Sequence, residues 1–405
     1  MNRPLALVEP RAGRTDGHYS RTLLALARAH GDALVVVPQL TPLALAAELG
    51  TAGATVATRP RGARAALLTT AAHWTAFCAS ALGTVCSPKR RPARVRRIPY
   101  QLRLLASALG EAADVRTARR LRPGTAVVVL TAAPGLHALV GLLGGPHLRF
   151  VHEITTTEDP SLRLLGRLAG RGRRKVLVLA PTQATRDRFV TRFPRLAVQV
   201  RPYGLADPED RIGEEERAKA RAARGLSERD TAIALVGGWW PEKDLLTVHR
   251  ALAQLACPIT LLVTGYPLDH QRLDGWAKLP NVRVVLEPSP ASDTAVRELY
   301  AAADAVLVSR RRGVGKESGL VVDAVRFALP LLCSDHQPEL SRALRGKPWV
   351  RLYPTGDSVR LAEALDALAD QPLPRPGGDA AALLGIPTAA DQVAFLTNRR
   401  PGEPR

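Results

Sequence analysis

The sequence predicts a two-domain α/β chain built on parallel sheets, and three observations predict it. The chain has 405 residues, more than one ordinary domain needs and about what two need at roughly 150 residues each. Short apolar runs alternate with helical segments along most of its length. A dense stretch of charge, Ala206 to Arg224, divides that alternation into two series. Continuous Val/Leu runs separated by helices imply a parallel sheet covered on both faces.

The first series opens with Leu5 to Val8 as a strand. Arg21 to Ala29 follows, with Leu23, Leu24 and Leu26 at helical spacing. Ala33 to Val37, Ala126 to Leu130, Leu148 to Val151 and Val176 to Leu179 read as further strands, with a helix beginning at Gly135. The charged stretch, with Pro208 and Gly213, reads as a linker and an exposed helix. The second series runs through Ala232 to Val236, Ile259 to Thr264, Val282 to Leu286, Ala305 to Val308 and Leu331 to Cys333. The expected domains are therefore 1–203 and 204–375, with the boundary between Pro202 and Glu214 and a separate C-terminal segment, 376–405. Ligands of doubly wound folds bind outside the carboxyl ends of the strands, so the site is expected in a cleft between two such domains.

The net charge is +20, which invites a partner that is anionic: a sugar nucleotide, a phosphorylated acceptor or a lipid surface. Arginine outnumbers lysine 50 to 7, a bias that a GC-rich bacterial genome alone would produce. Specific nucleic-acid binding is not expected: aromatic residues are 4%, and no helix-turn-helix or zinc signature occurs. Four cysteines without a CxxC pair read as reduced thiols of a cytoplasmic protein. No metal site and no bound cofactor are expected. Ala65 to Ser87 holds no Asp, Glu, Lys or Arg, which is nearly a membrane-spanning length. Its alanines, threonines and His73 favour a buried or interfacial helix over a span. The basic run Lys89 to Arg97 follows it, then an amphipathic helix, Tyr100 to Leu109.

Three segments carry chemistry. Val236 to Asp244 holds Gly237, Gly238 and Lys243 between a strand and a helix, where glycines admit a ligand to the backbone and a helix N-terminus favours phosphate. Alone it reads equally as an ordinary turn with a solvated lysine. Arg310 to Ala324 is a basic glycine loop, with Arg312, Lys316, Glu317, Ser318, Gly319 and Leu320, that opens a helix bearing Asp323. Two acids so placed suit the hydroxyls of a sugar and a ribose. Phe150 to Glu153 puts His152 at a strand end. The dinucleotide fingerprint GxGxxG is missing after the first strand, where Glu9-Pro10-Arg11-Ala12-Gly13 stands, and this argues against an NAD-type enzyme.

Taken in order, Arg201 to Ala206, Val236 to Asp244, Leu299 to Ala305, Glu317 to Pro330 and Ser334 to Glu339 resemble the motif series of the family-4 glycosyltransferases of GT-B fold, over residues 200 to 345. The resemblance implies two Rossmann-like domains facing each other across a cleft, with the acceptor on the first and the nucleotide sugar on the second. It implies metal-independent sugar transfer with retention of configuration, from a nucleotide-diphosphate donor to a hydroxyl-bearing acceptor such as a small natural product or an envelope glycan. Lys243 would stabilise the leaving diphosphate, Glu317 would hold the sugar and Asp323 the ribose. His152 would contact the sugar, Gly17 would approach the diphosphate, and His18, Tyr19 and Glu153 would meet the acceptor. The last helix, Ala389 to Asn398, is expected to return to the first domain. Gly238 stands where the family carries an arginine, the two acids are six rather than eight positions apart, and Ala328 replaces a glycine. Lys316 or one of Arg310 to Arg312 is the expected substitute for the arginine. The alternatives are a membrane-surface glycosyltransferase with a lipid-linked acceptor and a non-catalytic anion-binding protein on the same scaffold.

Overall fold

The computed structural model describes residues 3–13, 19–38, 41–58, 60–86, 93–152, 154, 160–288 and 291–401, with the backbone alone for 85–86 and 93–96. It divides into two compact units. One comprises residues up to Tyr203 together with Ala389–Arg405, and the other Gly204–Thr388.

The first unit holds a seven-stranded parallel sheet of β1 (Leu5–Val8), β2 (Leu34–Val36), β3 (Thr55–Ala57), β4 (Ala126–Val129), β5 (His147–Phe150), β6 (Val176–Ala180) and β7 (Ala197–Val200). The strand order is β3-β2-β1-β4-β5-β6-β7. Its helices are α1 (Tyr19–His30), α2 (Leu43–Thr51), α3 (Ala63–Cys86), α4 (Ala93–Leu121), α5 (His137–Gly144), α6 (Pro160–Leu168) and α7 (Gln183–Arg192). The central strands are fully buried Val/Leu/Ala runs, as a sheet covered on both faces requires. A short 3-10 turn, Gly170–Lys175, leads into β6.

The second unit begins with α8 (Glu214–Ala222) and continues through β8 (Thr231–Val236), α9 (Leu245–Leu252), β9 (Ile259–Thr264), α10 (His270–Trp276), β10 (Val282–Leu286), α11 (Asp293–Ala302) and β11 (Ala305–Val308). It ends with α12 (Gly319–Arg326), β12 (Leu331–Ser334), α13 (Pro338–Leu344), β13 (Val350–Tyr353), α14 (Ser358–Asp370) and α15 (Ala380–Leu383). Its six parallel strands are ordered β10-β9-β8-β11-β12-β13. Alternate residues of β8 enter different cores: Ala232, Ala234 and Val236 pack with α11 and α12, Ile233 and Leu235 with α9 and α14. The last helix, α16 (Ala389–Asn398), packs on α1 in the first unit.

The charged segment read as a linker and exposed helix holds an exposed helix, α8, but that helix is tied to the second unit's body rather than hanging as a free linker. Arg221 of α8 is 5% exposed and donates to the carbonyls of Ala302, Ser227 and Asp230 and to Asp304. The amphipathic helix expected over Tyr100 to Leu109 is the middle of the longer α4, which carries Pro99 inside it.

The charge-free segment forms α3, and it is turned inside out relative to an ordinary amphipathic helix. Ala65, Ala72 and Ala79, seven residues apart, are buried, whereas Leu67, Trp74 and Phe77 are each more than 60% exposed. Small residues facing inward let α3 and α4 lie close together. The stretch Ala63–Thr84 is long and apolar enough to cross a membrane, and little of it is buried. Most of the basic run Lys89 to Arg97 lies outside the described side chains.

Candidate functional site

In the second sheet β8 pairs with β9 on one side and with β11 on the other. The connections therefore diverge between β8 and β11 and open a crevice beyond the carboxyl ends of these strands. Two loops leave the strands there. The first follows Val236 and ends at Asp244, whose carboxylate caps α9 by accepting from Thr247 N at 3.3 Å. The second follows Val308 and opens α12.

The two loops are zipped together. Lys243 and Arg310 form an antiparallel bridge. Asp244 N donates to Ser309 O at 3.2 Å, and Arg311 N to Glu242 O at 2.9 Å. Lys243 folds back so that its Nζ donates to the carbonyls of Val236 (2.7 Å) and Gly237 (2.8 Å). Its ammonium is withdrawn from water and faces the Arg310 guanidinium, and together these bring its pKa down to about 7. Burial likewise depresses Arg310, whose Nη1 is buried with no hydrogen-bond partner among the described residues. The nearest acid, Glu242, is only partly buried and already engaged: Lys316 Nζ donates to its Oε1 at 3.0 Å. Burial works to raise Glu242, but Lys316 and Arg310 hold it below the ordinary carboxylate range.

Gly238 occupies a position that has no room for any side chain. A Cβ there would lie 2.2 Å from Tyr266 O and 2.7 Å from Tyr266 C. Gly237 adopts φ 89°, in the left-handed region, and its N–H donates to Thr264 O at 2.8 Å. The loop is thus pressed on the segment after β9, and the arginine expected at 238 by resemblance is sterically shut out. The second buried cation comes from across the crevice, as Arg310. Arg312, the member of the arginine run singled out from sequence, is exposed.

Around this pair, polar atoms lack protein partners. Ser318 Oγ, His336 Nε2 and Thr264 Oγ1 are buried without a hydrogen bond among the described residues. Buried polar groups ordinarily find partners, and these three lie in Thr264 at the end of β9 and in the segments that follow β11 and β12. His336 is neutral at ordinary pH because burial pushes it down to about 4. Ser318 precedes α12 without capping it, and Gly319 and Leu320 supply the first amides of that helix, which have no intrahelical acceptor. The site is electropositive and rich in unpaired donors, and it suits a phosphate.

Both acids are nearby and partly committed. Glu317 Oε2 accepts from Gly204 N at 3.1 Å. Gly204 itself needs to be glycine, because a Cβ would fall 2.6 Å from Val322 Cγ2. Asp323, in α12, accepts at Oδ2 from the buried Tyr300 hydroxyl at 3.1 Å.

In the first unit, His152 follows β5 and approaches Leu130 O through Nε2 at 3.2 Å. Its ring meets Tyr203 edge to face at 4.3 Å. Tyr19 begins α1, and its hydroxyl accepts from Arg11 at 3.2 Å. Gly17, His18 and Glu153 lie outside the described residues. Sequence reasoning missed Glu9, at the carboxyl end of β1. It is fully buried, accepts from Thr131 Oγ1 (2.7 Å) and Arg11 N (2.8 Å), and is pushed by burial up to about 7. The one signal available was an acid directly after an apolar strand. Among the described residues no group of three or more His, Cys, Asp or Glu could hold a metal ion.

No protein-family model and no curated protein sequence matches the chain. Among solved structures it is similar to HepE of Anabaena in complex with UDP-glucose, at 15% identity and a TM-score of 0.56, over 97% of this chain and 94% of that one. It is similar to WaaG, a glycosyltransferase involved in lipopolysaccharide biosynthesis, at 16% identity and a TM-score of 0.50, over 98% and 95%. A glycosyltransferase from Rickettsia africae matches at 10% identity and a TM-score of 0.56, over 97% and 93%. At such identities the likeness is one of architecture, and the chain has the two-domain GT-B fold of these glycosyltransferases.

Proposed function

We propose that the chain moves a sugar from a nucleoside-diphosphate donor to a hydroxyl group of an acceptor. The observation that carries this reading is the pair of withdrawn cations, Lys243 and Arg310, at the switch point of the second sheet. Two like charges brought together out of water disfavour each other, and a bound dianion reverses that penalty. The leaving diphosphate is such a group. It would accept from Lys243, Arg310, Ser318 and the amides of Gly319 and Leu320, and its arrival would favour the protonated lysine. In this reading Glu317 binds the sugar hydroxyls and Asp323 the ribose. Arg310 supplies the second positive charge, with Lys316 held by Glu242 and Arg312 outside. His152 is assigned to the transferred sugar and Tyr19 to the acceptor. HepE and WaaG, with the same fold, lend support: one is complexed with UDP-glucose and the other is a glycosyltransferase.

A thermal-shift panel of UDP-, GDP-, ADP- and dTDP-sugars tests the proposal. A donor at about a hundred times its Kd stabilises the folded state by about 2.7 kcal/mol. Lys243→Ala and Arg310→Ala should each remove most of that shift and most turnover, and leave nucleoside binding nearly as before. His152→Ala should lower turnover with donor affinity unchanged. If no nucleotide sugar shifts the melting, or if both cation variants keep turnover within about threefold, the reading is wrong. Transfer with retention and without a metal is part of the proposal; the anomeric configuration of the product, read by NMR after exhaustive dialysis against EDTA, decides both.

The outward apolar face of α3 favours a lipid-linked acceptor over a soluble one, because Leu67, Trp74 and Phe77 on a strongly basic protein suit an anionic bilayer surface. Co-sedimentation with anionic vesicles should be lost in Trp74→Ser/Phe77→Ser protein. Equal sedimentation of the two proteins counts against this second reading.

A further inference from the structure

The first unit contains a cavity of about 570 Å³ that the donor chemistry does not use. Its floor is Leu136, His137 and Leu162, and its walls carry five arginines: Arg163 and Arg167 of α6, Arg173 of the turn after it, Arg192 at the end of α7, and Arg195. Among the described residues that line it, none is an Asp or Glu. The cavity's last wall, Phe193 to Leu196, leads into the amino end of β7, whereas Glu9, Thr131 and His152 follow the carboxyl ends of their strands.

The local packing sets several of these arginines around the cavity. Gly141 of α5 and Gly172 touch backbone to backbone: a Cβ on Gly172 would lie 1.9 Å from Ala138 O, and one on Gly141 2.3 Å from Gly172 O. Only glycines allow the turn 170–175 to sit so near α5, and this places Arg173 in the cavity wall. On α6 the spacing of Arg163 and Arg167 is four residues, which stacks them on one face. Gly166 puts no side chain beside them, and a Cβ there would meet nothing within 4 Å. Arg192 lies over the Phe193 ring at 5.7 Å, and the buried His137 ring packs on Phe193 at 4.9 Å. Among the described residues the lining is basic and includes no acid, and Arg163, Arg167 and Arg195 are exposed to an incoming ligand. Planar guanidinium forks match phosphate oxygens two at a time.

We propose that this arginine-lined cavity of the first unit is a binding site for a phosphate-bearing anion, separate from the nucleotide-sugar site. Such a ligand is either a soluble pyrophosphate-like group or the headgroup of an anionic phospholipid. The exposed Leu164 and Leu168, which alternate with the arginines on α6, would rest in the acyl region in the second case.

The test uses the full chain carrying Lys243→Met and Arg310→Met, so that pyrophosphate bound at the proposed donor site makes no contribution. Two probes are applied: inorganic pyrophosphate by calorimetry, and flotation with vesicles of phosphatidylglycerol in phosphatidylcholine against phosphatidylcholine alone. Gly166→Glu is then added. It fits the open space and sets a carboxylate among the arginines. The triple variant Arg163→Ala/Arg167→Ala/Arg173→Ala serves as an independent second change at a partly exposed surface. Thermal melts confirm that both remain folded. Pyrophosphate binding that weakens about tenfold or more in both variants supports the soluble ligand. Binding to phosphatidylglycerol vesicles alone, lost in both variants, supports the lipid headgroup. A parent protein that binds neither probe, or variants that bind as the parent does, overturns the proposal. Neither outcome depends on whether a sugar nucleotide is the donor.

Discussion

Replacing Lys243 with methionine should change how stability depends on pH, by an amount the structure sets. Withdrawal from water and the nearby Arg310 hold the ammonium at about 7, against 10.5 for an ordinary lysine. The unfolded chain therefore binds this proton below the ordinary value, and the folded chain only below about 7. The lysine's contribution is present above the unfolded pKa and is lost as pH falls through the folded one. One proton's difference amounts to about 1.4 kcal/mol per pH unit. Between about pH 9 and about pH 7 the wild-type protein should lose about 2 kcal/mol that the Lys243→Met protein keeps, because other groups titrate alike in both. Urea titrations at three pH values read this difference. Four of the five tryptophans, Trp239, Trp240, Trp276 and Trp349, lie in the second unit, so a Trp74→Phe background confines the fluorescence to it. Unfolding curves that stay parallel within about 0.5 kcal/mol across the range would refute the argument that this ammonium is held out of water beside a second cation.

Three further outcomes are expected. Gly238→Ala should lower the second unit's urea midpoint by the equivalent of about 2 kcal/mol or more, because its Cβ meets the Tyr266 backbone; an unchanged midpoint means the loop can relax and the crowding is not what excludes a side chain. Glu9→Gln should become relatively more stable than wild type as pH rises: a carboxyl raised from 4.5 to about 7 contributes stability below its unfolded pKa and loses it on the way to the folded one. The relative change between about pH 5 and about pH 7 is about 2 kcal/mol, measured by urea titration. Arg149→Met should destabilise the first unit by about 3–5 kcal/mol, because it strands the buried Glu111, which Arg149 contacts at 2.6 Å; a smaller loss in thermal melts implies that Glu111 simply takes up a proton.

The central strands of both sheets could be read from sequence because burial on both faces demands unbroken apolar runs. Of the four edge strands, β10 could be read because its Val/Leu run is apolar save for Arg283, whereas β3, β7 and β13 could not. Their residues, Thr55-Val56-Ala57, Ala197 to Val200 and Val350 to Tyr353, are half-covered and mix polar with apolar side chains. Lys243 was visible as the basic residue of a glycine turn. Arg310 was hidden in a run of three arginines, where nothing local says which one turns inward, and the bridge to Lys243 is a long-range pairing. Gly238 was legible only as a departure from a resembling family. Its cause is a carbonyl 28 positions away in the chain, that of Tyr266. Helix α3 shows the converse limit, because composition marks an apolar segment but does not say that its alanines, rather than its tryptophan, face the protein.

The membership of α16 in the first unit has a consequence for how the protein is made. The ribosome releases residues in order, and domains commonly fold as they emerge. Here nearly all of the second unit comes from one segment, Gly204–Thr388, whereas the first lacks its last helix until Ala389–Asn398 is synthesised. The unit that begins first therefore finishes last. Until α16 appears, the side of α1 and the strand ends that it covers stay bare. A nascent chain stalled after Thr388 would carry the second unit's main segment and an unfinished first unit, so termination between Thr388 and Asn398 should yield aggregation-prone product.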